Sequence, residues 1–273
     1  MSIIETAFQK RQRAMADDAG VAVRSPPIMR RTAVETVDRT AVEPAHIKTV
    51  ALDSATLKRH NILLQVSDQA ALRAYKILRT RVLHRMNANG WGSLAVTGTE
   101  AGAGKTMTAI NLSIALAQET HTSVVLIDLD LQRPQVGGYL GMKYDKGLND
   151  YLLGEADVSD IIYRVGVDRL CVIPNRQGLG HASELLSTPR MLELLNKLHT
   201  EMPKSVLLFD MPPLMLSDDV LSFAPQVDGV LLVVSEGHTH RSAVEKAAEV
   251  LSEMNVVGVV LNRSNERNDA QYY

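Results

Sequence analysis

The chain has 273 residues, of which 45% are hydrophobic, enough for one α/β domain of ordinary size with an extension. Its single cysteine, Cys171, lies in an apolar run and is predicted to be a buried hydrophobic side chain, which excludes disulfide bonds within the chain and cysteine-based metal sites. No stretch approaches the roughly 20 consecutive apolar residues of a membrane-spanning helix, and residues 1–20 lack a signal-peptide pattern, so we expect a cytoplasmic protein.

The first part of the chain is basic, although the net charge of the whole is only −2. Residues 1–90 contain 15 Lys and Arg against 8 Asp and Glu, whereas residues 91–273 contain 14 against 23. Two interpretations remain open for this basic part. It is either a solvated surface or a face that contacts an anionic membrane or an acidic partner.

Residues 1–59 mix charged residues with Ser25-Pro26-Pro27 and show no sustained period, which predicts a flexible N-terminal arm. Residues 60–90 are predicted to form a basic amphipathic helix, because apolar residues recur at three- and four-residue steps from Asp68 to Asn87. Asn89-Gly90 is a typical end for such a helix. Its polar side contains Arg73, Lys76, Arg79, Arg81 and Arg85.

From residue 91 onward, short apolar runs alternate with helical stretches, which predicts buried strands in a doubly wound, mostly parallel α/β sheet. This predicted domain covers residues 91–264, and residues 265–273 form a C-terminal tail that ends in two tyrosines. The predicted strands are Ser93–Thr97, Val124–Ile127, Leu170–Pro174, Val206–Phe209, Val227–Val234 and Val256–Leu261, and the predicted helices include Lys105–Gln118, Ser183–His199 and Ser242–Met254.

A loop of small residues, Thr99–Thr106, connects the first of these strands to the following helix, the context that a phosphate-binding loop (P-loop) requires. Gly102 and Gly104 allow backbone N–H groups to turn toward phosphate oxygens, and the helix directs its positive end at the same point. Lys105 adds a cation for the phosphates, and the Thr106 hydroxyl is suited to Mg²⁺. The loop therefore predicts a nucleotide site.

The P-loop departs from the strict pattern G-x-x-x-x-G-K-[ST], because Thr99 occupies the first position and Gly98 lies one residue earlier. We nevertheless predict ATP and Mg²⁺ as cofactors. The predicted nucleotide-binding residues are Thr99, Glu100, Ala101, Gly102, Ala103, Gly104, Lys105, Thr106, Met107, Asn262 and Arg263.

Two acidic motifs follow predicted strands that end at the same edge of the sheet. Asp128-Leu129-Asp130 follows one strand, and Asp210-Met211-Pro212-Pro213 follows another. Carboxylates beside a phosphate site can hold Mg²⁺ or accept a proton from an attacking hydroxyl, although a single such aspartate is often only a helix cap or turn residue. The combination with a P-loop favours a phosphotransfer site.

This set of motifs resembles the bacterial tyrosine kinase family, in which Walker A, Walker A′ and Walker B elements would correspond to Thr99–Thr106, Asp128–Pro134 and Asp210–Pro213. The similarity extends from about Gly92 to Asn265 and includes the segment His181–Leu186. The sequence resembles in particular the autokinases associated with exosortase-type exopolysaccharide loci.

The resemblance implies a P-loop NTPase fold of the MinD/ParA type and a protein-tyrosine autokinase that regulates exopolysaccharide synthesis, chain length or export. It implies that Lys105 binds the β- and γ-phosphates, that Thr106, Asp130 and Asp210 surround Mg²⁺, and that Asp128 is the base for the tyrosine hydroxyl. Such a base is needed, because a phenol with a pKa of about 10 is mostly protonated at neutral pH.

The resemblance also implies partners and acceptors. We expect phosphorylation in trans within a homo-oligomer, with Tyr272 and Tyr273 in the tail as acceptors, and a separate membrane polysaccharide co-polymerase that recruits the chain to the inner face of the membrane. No nucleic-acid partner is expected. Asn262 follows the last predicted strand, where related P-loop proteins place an adenine-contacting asparagine, although asparagine is also a common turn residue.

One departure concerns the basic helix. Many family members have E-x-x-R-x-x-R there for ring assembly, whereas this chain has Arg73-x-x-Lys76-x-x-Arg79, so that particular contact is not expected.

Two other functions stay open: a ParA/MinD-type partitioning ATPase and a nucleotide-binding scaffold with weak or no kinase activity. The partitioning ATPases usually have a lysine where this chain has Glu100, which argues against the first.

Overall fold

The structure is a computed structural model that describes residues 47–119, 122–176, 178, 182–216 and 218–264. Within these ranges eight strands form one sheet, in the order β1-β4-β5-β3-β6-β2-β7-β8. All neighbouring pairs are parallel except β4 and β5, which are antiparallel. The prediction of a doubly wound, mostly parallel sheet is confirmed.

The strands are β1 (Lys48–Thr49), β2 (Ser93–Gly98), β3 (Ser123–Asp128), β4 (Tyr163–Arg164), β5 (Leu170–Ile173), β6 (Ser205–Asp210), β7 (Gly229–Ser235) and β8 (Val256–Asn262). The helices are α1 (Ser54–Arg59), α2 (Gln69–Asn89), α3 (Lys105–Ala117), α4 (Val136–Leu140), α5 (Leu148–Leu152), α6 (Val158–Ile161), α7 (Ala182–Leu186), α8 (Pro189–Glu201), α9 (Asp219–Phe223) and α10 (Arg241–Val250), with short 3₁₀ turns at Leu63–Gln65, Ala224–Gln226 and Leu251–Glu253.

The central strands are buried on both faces, which explains their nearly continuous hydrophobic sequences. On one face they pack against α1, α2, α3 and α4, and on the other against α5, α6, α8, α9 and α10. The alternation is clear in β2, where Leu94 and Val96 belong to one hydrophobic cluster and Ala95 belongs to the other. This packing fixes the carboxyl ends of β2, β3, β6, β7 and β8 along one edge.

The prediction of a flexible arm through residue 59 is wrong for residues 47–59, which contain β1 and α1. Helix α1 begins at a local signal, because the Asp53 carboxylate accepts a 2.9 Å hydrogen bond from the Thr56 N–H. Leu57 and Ile62 then anchor this segment in the core, with exposed fractions of 3% and 0%. Single apolar residues without a repeating period gave too weak a pattern to predict this.

The predicted basic helix over residues 60–90 is shorter in the structure, since α2 spans Gln69–Asn89. Asp68 caps its first turn with a 2.8 Å hydrogen bond from the Ala70 N–H, and Gly90 ends it in the left-handed conformation. Two of its arginines have partners in the same chain. Arg79 forms an ion pair with Glu119 at 3.4 Å, and Arg85 donates a hydrogen bond to the Val257 carbonyl at 3.0 Å.

The predicted helix Ser183–His199 is two helices, α7 and α8. Pro189 is the first residue of α8, and a proline at the start of a helix breaks the preceding one because it lacks an N–H. In the described ranges no helix is both long enough and apolar enough to cross a membrane.

Candidate functional site

The P-loop connects β2 to α3 with two glycines in the left-handed conformation. Gly102 has a φ of 77° and Gly104 a φ of 93°. A side chain at Gly104 would also meet a neighbour, because a Cβ atom there would lie 2.0 Å from Nδ2 of Asn262. Only glycine suits this position, and the loop can therefore turn its backbone toward a ligand at the N-terminus of α3.

Lys105, the first residue of α3, forms a buried ion pair. Its Nζ lies 2.8 Å from Oδ2 of Asp130, and the two side chains are 9% and 7% exposed. Burial acts to lower the pKa of Lys105, but the negative charges of Asp210, Asp130 and Asp128 outweigh it and raise the pKa. Lys105 is thus held as a cation at the point where β3, β6 and the P-loop meet.

Asp210, the last residue of β6, is fully buried beside this lysine. Burial raises the pKa of Asp210 to about 6, while the Lys105 charge and the nearby Thr106 hydroxyl act to lower it. Among the described residues, neither carboxylate oxygen accepts a hydrogen bond of ordinary length. A buried carboxylate with both oxygens unpartnered, next to a threonine hydroxyl, is suited to a hard cation or its bound waters.

Asp128, the last residue of β3, has a different environment. Its carboxylate is fully buried and accepts hydrogen bonds from the backbone N–H groups of Asp130 at 3.3 Å, Gln135 at 3.0 Å and Val136 at 2.9 Å. Burial and the charge of Asp210 raise the pKa of Asp128 well above its ordinary value. The side chain thus holds the loop between β3 and α4, and it does not line the cavity described below.

Asn262 and Arg263 contact the P-loop from the end of β8. The Asn262 side chain donates to the carbonyl of Ala103 at 2.8 Å, and the Arg263 guanidinium donates to that of Gly102 at 3.1 Å. Arg263 adopts a φ of 59°, which is uncommon for a side chain of its size. Both residues therefore contact the P-loop, and their binding of a nucleotide stays a prediction.

The segment that follows α1 completes the site, which was not predicted from the sequence. Asn111 of α3 is 1% exposed and fixes the segment by accepting from the Leu63 N–H at 2.9 Å and donating to the Asn61 carbonyl at 3.0 Å. The ring of His60 stacks on that of Tyr139 with centroids 4.1 Å apart. An asparagine in an apolar helix face was the only available signal.

These elements enclose a cavity of about 930 Å³. Of the predicted site residues, it is lined by Ala101, Gly102, Gly104, Lys105, Thr106, Met107, Asp130, Asn262 and Arg263. Residues that the sequence did not predict also line it, including Arg59, His60, Tyr75, Gln132, Arg133 and Tyr139. Its volume is within the range of about 300–1,000 Å³ that is typical of small-molecule sites.

Three predicted nucleotide-binding residues do not line the cavity. Thr99 is fully buried, and its N–H donates to the Val233 carbonyl at 3.4 Å, so it supports the loop from behind. Glu100 and Ala103 are also absent from the lining. The same is true of two predicted catalytic residues, Asp128 and Asp210, which are both fully buried. The predicted acceptors Tyr272 and Tyr273 lie outside the described residues.

No group of three or more His, Cys, Asp or Glu side chains that could hold a metal ion occurs in the described ranges. A protein cage for a metal is therefore absent from that part of the chain. Mg²⁺ is commonly held instead by one or two carboxylates together with waters and substrate phosphates. Thr106 and Asp210 fit that simpler arrangement.

Comparison with known proteins agrees with this geometry. Residues 94–273 match the family model for the CobQ/CobB/MinD/ParA nucleotide binding domain. The tyrosine-protein kinase CpsD of Streptococcus agalactiae is 32% identical over 179 residues, which cover 63% of this chain and 76% of the relative.

Solved structures show the same relationship. The kinase domain of the Escherichia coli tyrosine kinase ETK superposes with a TM-score of 0.67 at 27% identity, over 77% of this chain and 82% of that one. The cell division ATPase MinD of Pyrococcus furiosus gives a TM-score of 0.52 at 28% identity, over 63% of this chain and 73% of that one.

Proposed function

This chain belongs to the bacterial tyrosine kinases, and from that membership and the geometry of its site we propose that it transfers the terminal phosphoryl group of ATP to protein tyrosines, its own among them. The observation that supports this best is the ion pair of Lys105 and Asp130 beside the P-loop, on the wall of a cavity large enough for a nucleotide and an acceptor side chain. The charge of the buried Asp210 also acts on Lys105.

The proposed reaction replaces one phosphorus–oxygen bond with another. The tyrosine oxygen bonds to the terminal phosphorus, the bond from that phosphorus to the leaving oxygen of ADP breaks, and the phenolic proton passes to a carboxylate. Lys105 binds the phosphate oxygens and offsets their charge. Thr106 and Asp210 would hold Mg²⁺, which would neutralise phosphate charge.

The proton acceptor must be reachable from the cavity. Asp130 lines the cavity, whereas Asp128 is enclosed by three backbone N–H donors. We therefore assign proton acceptance to Asp130 and the positioning of its loop to Asp128. This changes the role that the family resemblance implied for Asp128.

The biological setting follows from the same membership. We propose that the kinase regulates exopolysaccharide synthesis, chain length or export, and that it acts in trans within a homo-oligomer on Tyr272 and Tyr273. A membrane polysaccharide co-polymerase would recruit it to the inner face of the membrane. Arg79 contacts Glu119 within the chain, and that ion pair would compete with a ring contact at that position.

A MinD-type ATPase is the second candidate, supported by the shared fold and the TM-score of 0.52 with a MinD structure. The similarity to the ETK kinase domain is greater and covers more of the chain. Glu100 also occupies the position at which the partitioning ATPases usually have lysine.

Incubation of the full chain with γ-labelled ATP and Mg²⁺ distinguishes these functions. Kinase activity predicts label on tyrosine that is lost in Lys105→Met. ATP hydrolysis without labelled protein would favour the ATPase or scaffold alternatives, and label that persists in Lys105→Met would contradict the assigned site.

A further inference from the structure

The cavity has two sides, one next to the end of β3 and the other next to the end of β8. The P-loop follows β2, the loop from Asp130 to Gln135 follows β3, and Asn262 ends β8. In the sheet, β3 and β8 lie on opposite sides of β2. Asn262 and Arg263 therefore border the P-loop on one side, and the β3 loop borders it on the other.

Lys105 points toward the β3 side, where its ammonium contacts Asp130. We place the adenine of the nucleotide beside Asn262. The terminal phosphate and the attacking tyrosine then lie at the other end of the cavity, on the β3 side. The walls on that side include Arg59, His60, Arg133 and Tyr139. Three of these four have a cationic or cation-forming side chain, so this side is suited to an anionic acceptor segment.

Among the described residues, the guanidinium groups of Arg59 and Arg133 have no hydrogen-bond or ion-pair partner. Both residues are exposed and line the cavity. The charge of Arg59 reaches Asp53, whose pKa it helps to lower. The carboxylates on the cavity wall are already engaged, since Asp68 caps α2 and Asp130 binds Lys105.

Arg59 projects from a fixed backbone. Leu57 and Ile62 on either side of it are buried in the core, and Asn111 holds the backbone of Asn61. The stacked rings of His60 and Tyr139 join this segment to α4. A cation on a rigid backbone loses less freedom on binding than one on a mobile arm, which favours a specific contact.

We propose that Arg59 is a specificity-determining residue of the acceptor side, where it binds a carboxylate that precedes the tyrosine to be phosphorylated. The inference rests on the proposed kinase activity. The tail of this chain has the matching chemistry, because Asp269 lies three residues before Tyr272. An arginine can bind such a carboxylate through two parallel hydrogen bonds.

The test uses the full chain and synthetic peptides with the sequence of residues 264–273, either unchanged or with Asp269→Asn, all with an amidated C-terminus. Arg59→Gln is expected to raise KM for the unchanged peptide by about two- to fivefold, as is typical of an exposed ion pair, with little change in kcat. The Asp269→Asn peptide should show the same raised KM with the unaltered enzyme, and Arg59→Gln should add little to it.

Arg73→Gln is the matched control, because Arg73 is an exposed cation of α2 that does not line the cavity. It should leave both peptides unaffected. The preference for the unchanged peptide should also shrink at about 0.5 M salt, which screens exposed charges.

The proposal for Arg59 alone would be overturned by labelling of the unchanged peptide with the same KM in Arg59→Gln, or by additive effects of the enzyme and peptide substitutions. A loss of ATP affinity in Arg59→Gln would place the residue in the nucleotide site and would also overturn it. Absence of labelled tyrosine with every protein, the unaltered chain included, would instead overturn the kinase function itself and the acceptor site with it.

Discussion

The ammonium of Lys105 and the carboxylate of Asp130 lie 2.8 Å apart in a nearly buried ion pair. A second pair, Arg241 with Glu245, has the same 2.8 Å separation, but its side chains are 74% and 54% exposed. Removing one partner of a buried pair leaves an uncompensated charge and costs about 3–5 kcal/mol, whereas an exposed helical pair is worth only about 0.3–0.5 kcal/mol. The two pairs therefore allow a matched comparison.

Lys105→Met should lower the free energy of unfolding by roughly 3 kcal/mol at neutral pH, because Asp128, Asp130 and Asp210 would lose their shared cation. Arg241→Met should lower it by no more than about 0.5 kcal/mol. Urea denaturation of the two variants and the unaltered chain measures both effects. Equal losses would show that the buried pair has no special energetic role.

Asp210→Asn should stabilise the protein while abolishing phosphotransfer. In the folded state the pKa of Asp210 is raised from 3.8 to about 6. The group therefore favours folding below pH 4, and this contribution to the free energy of unfolding is lost progressively as the pH rises through 6. A neutral asparagine does not have this dependence. The variant should gain up to about 3 kcal/mol relative to the unaltered chain above pH 6 and little below pH 4.

Denaturation of both proteins from pH 4 to pH 8 without nucleotide or Mg²⁺ checks this. A variant that is less stable at every pH would indicate that the Asp210 carboxylate is satisfied within the fold, and its assignment to Mg²⁺ would lose its structural support.

Gly102→Ala and Gly104→Ala separate backbone strain from steric overlap. Both glycines are left-handed, so each alanine costs roughly 1–2 kcal/mol of strain. A Cβ at Gly102 meets nothing within 4 Å, whereas one at Gly104 overlaps Asn262. Gly104→Ala should therefore lower the free energy of unfolding more than Gly102→Ala, and adding Asn262→Ala should restore part of that loss. Urea denaturation without nucleotide measures this. Equal losses would show that the Asn262 side chain does not obstruct a Cβ atom at position 104.

Asp128→Ala and Asp130→Asn test the division of roles at the end of β3. Asp128→Ala removes the acceptor of the Gln135 and Val136 N–H groups, so hydrogen exchange at both amides should accelerate and stability should fall by about 1–3 kcal/mol. Asp130→Asn should keep those amides protected and lower kcat by roughly 10²–10⁴-fold. Loss of kcat in an Asp128→Ala variant with unchanged exchange would return the role of base to Asp128.

The edge of the sheet that contains the P-loop and the two acidic motifs could be predicted because its residues occupy short contiguous motifs. Strand ends and a glycine-rich turn bring Lys105, Asp130 and Asp210 to one edge of a parallel sheet, whatever the rest of the chain does. The sequence could not distinguish Asp128 from Asp130, because the difference depends on which carboxylate receives backbone N–H donors.

The part of the cavity lining that includes Arg59 and His60 could not be predicted for a related reason. Arg59 is the last residue of a six-residue helix with a single buried apolar residue, and His60 follows it. The segment is fixed by Asn111, which lies 50 residues beyond Asn61. Such contacts between distant residues leave no periodic pattern in the sequence. The same dependence on tertiary contacts applies to Arg79. Its place on the polar side of α2 predicts a solvated residue, whereas in the structure it pairs with Glu119.

The most direct test of the central claim is transfer of label between two chains of different size. The active chain is Tyr272→Phe/Tyr273→Phe, which lacks the proposed acceptors. The recipient is a tagged Asp210→Asn chain, which keeps its tyrosines and is expected to be folded but inactive. With γ-labelled ATP and Mg²⁺, we predict labelled tyrosine at Tyr272 or Tyr273 of the recipient in the mixture and in neither protein alone. ATP hydrolysis by the active chain with an unlabelled recipient would contradict the assignment of this chain as a tyrosine autokinase acting in trans.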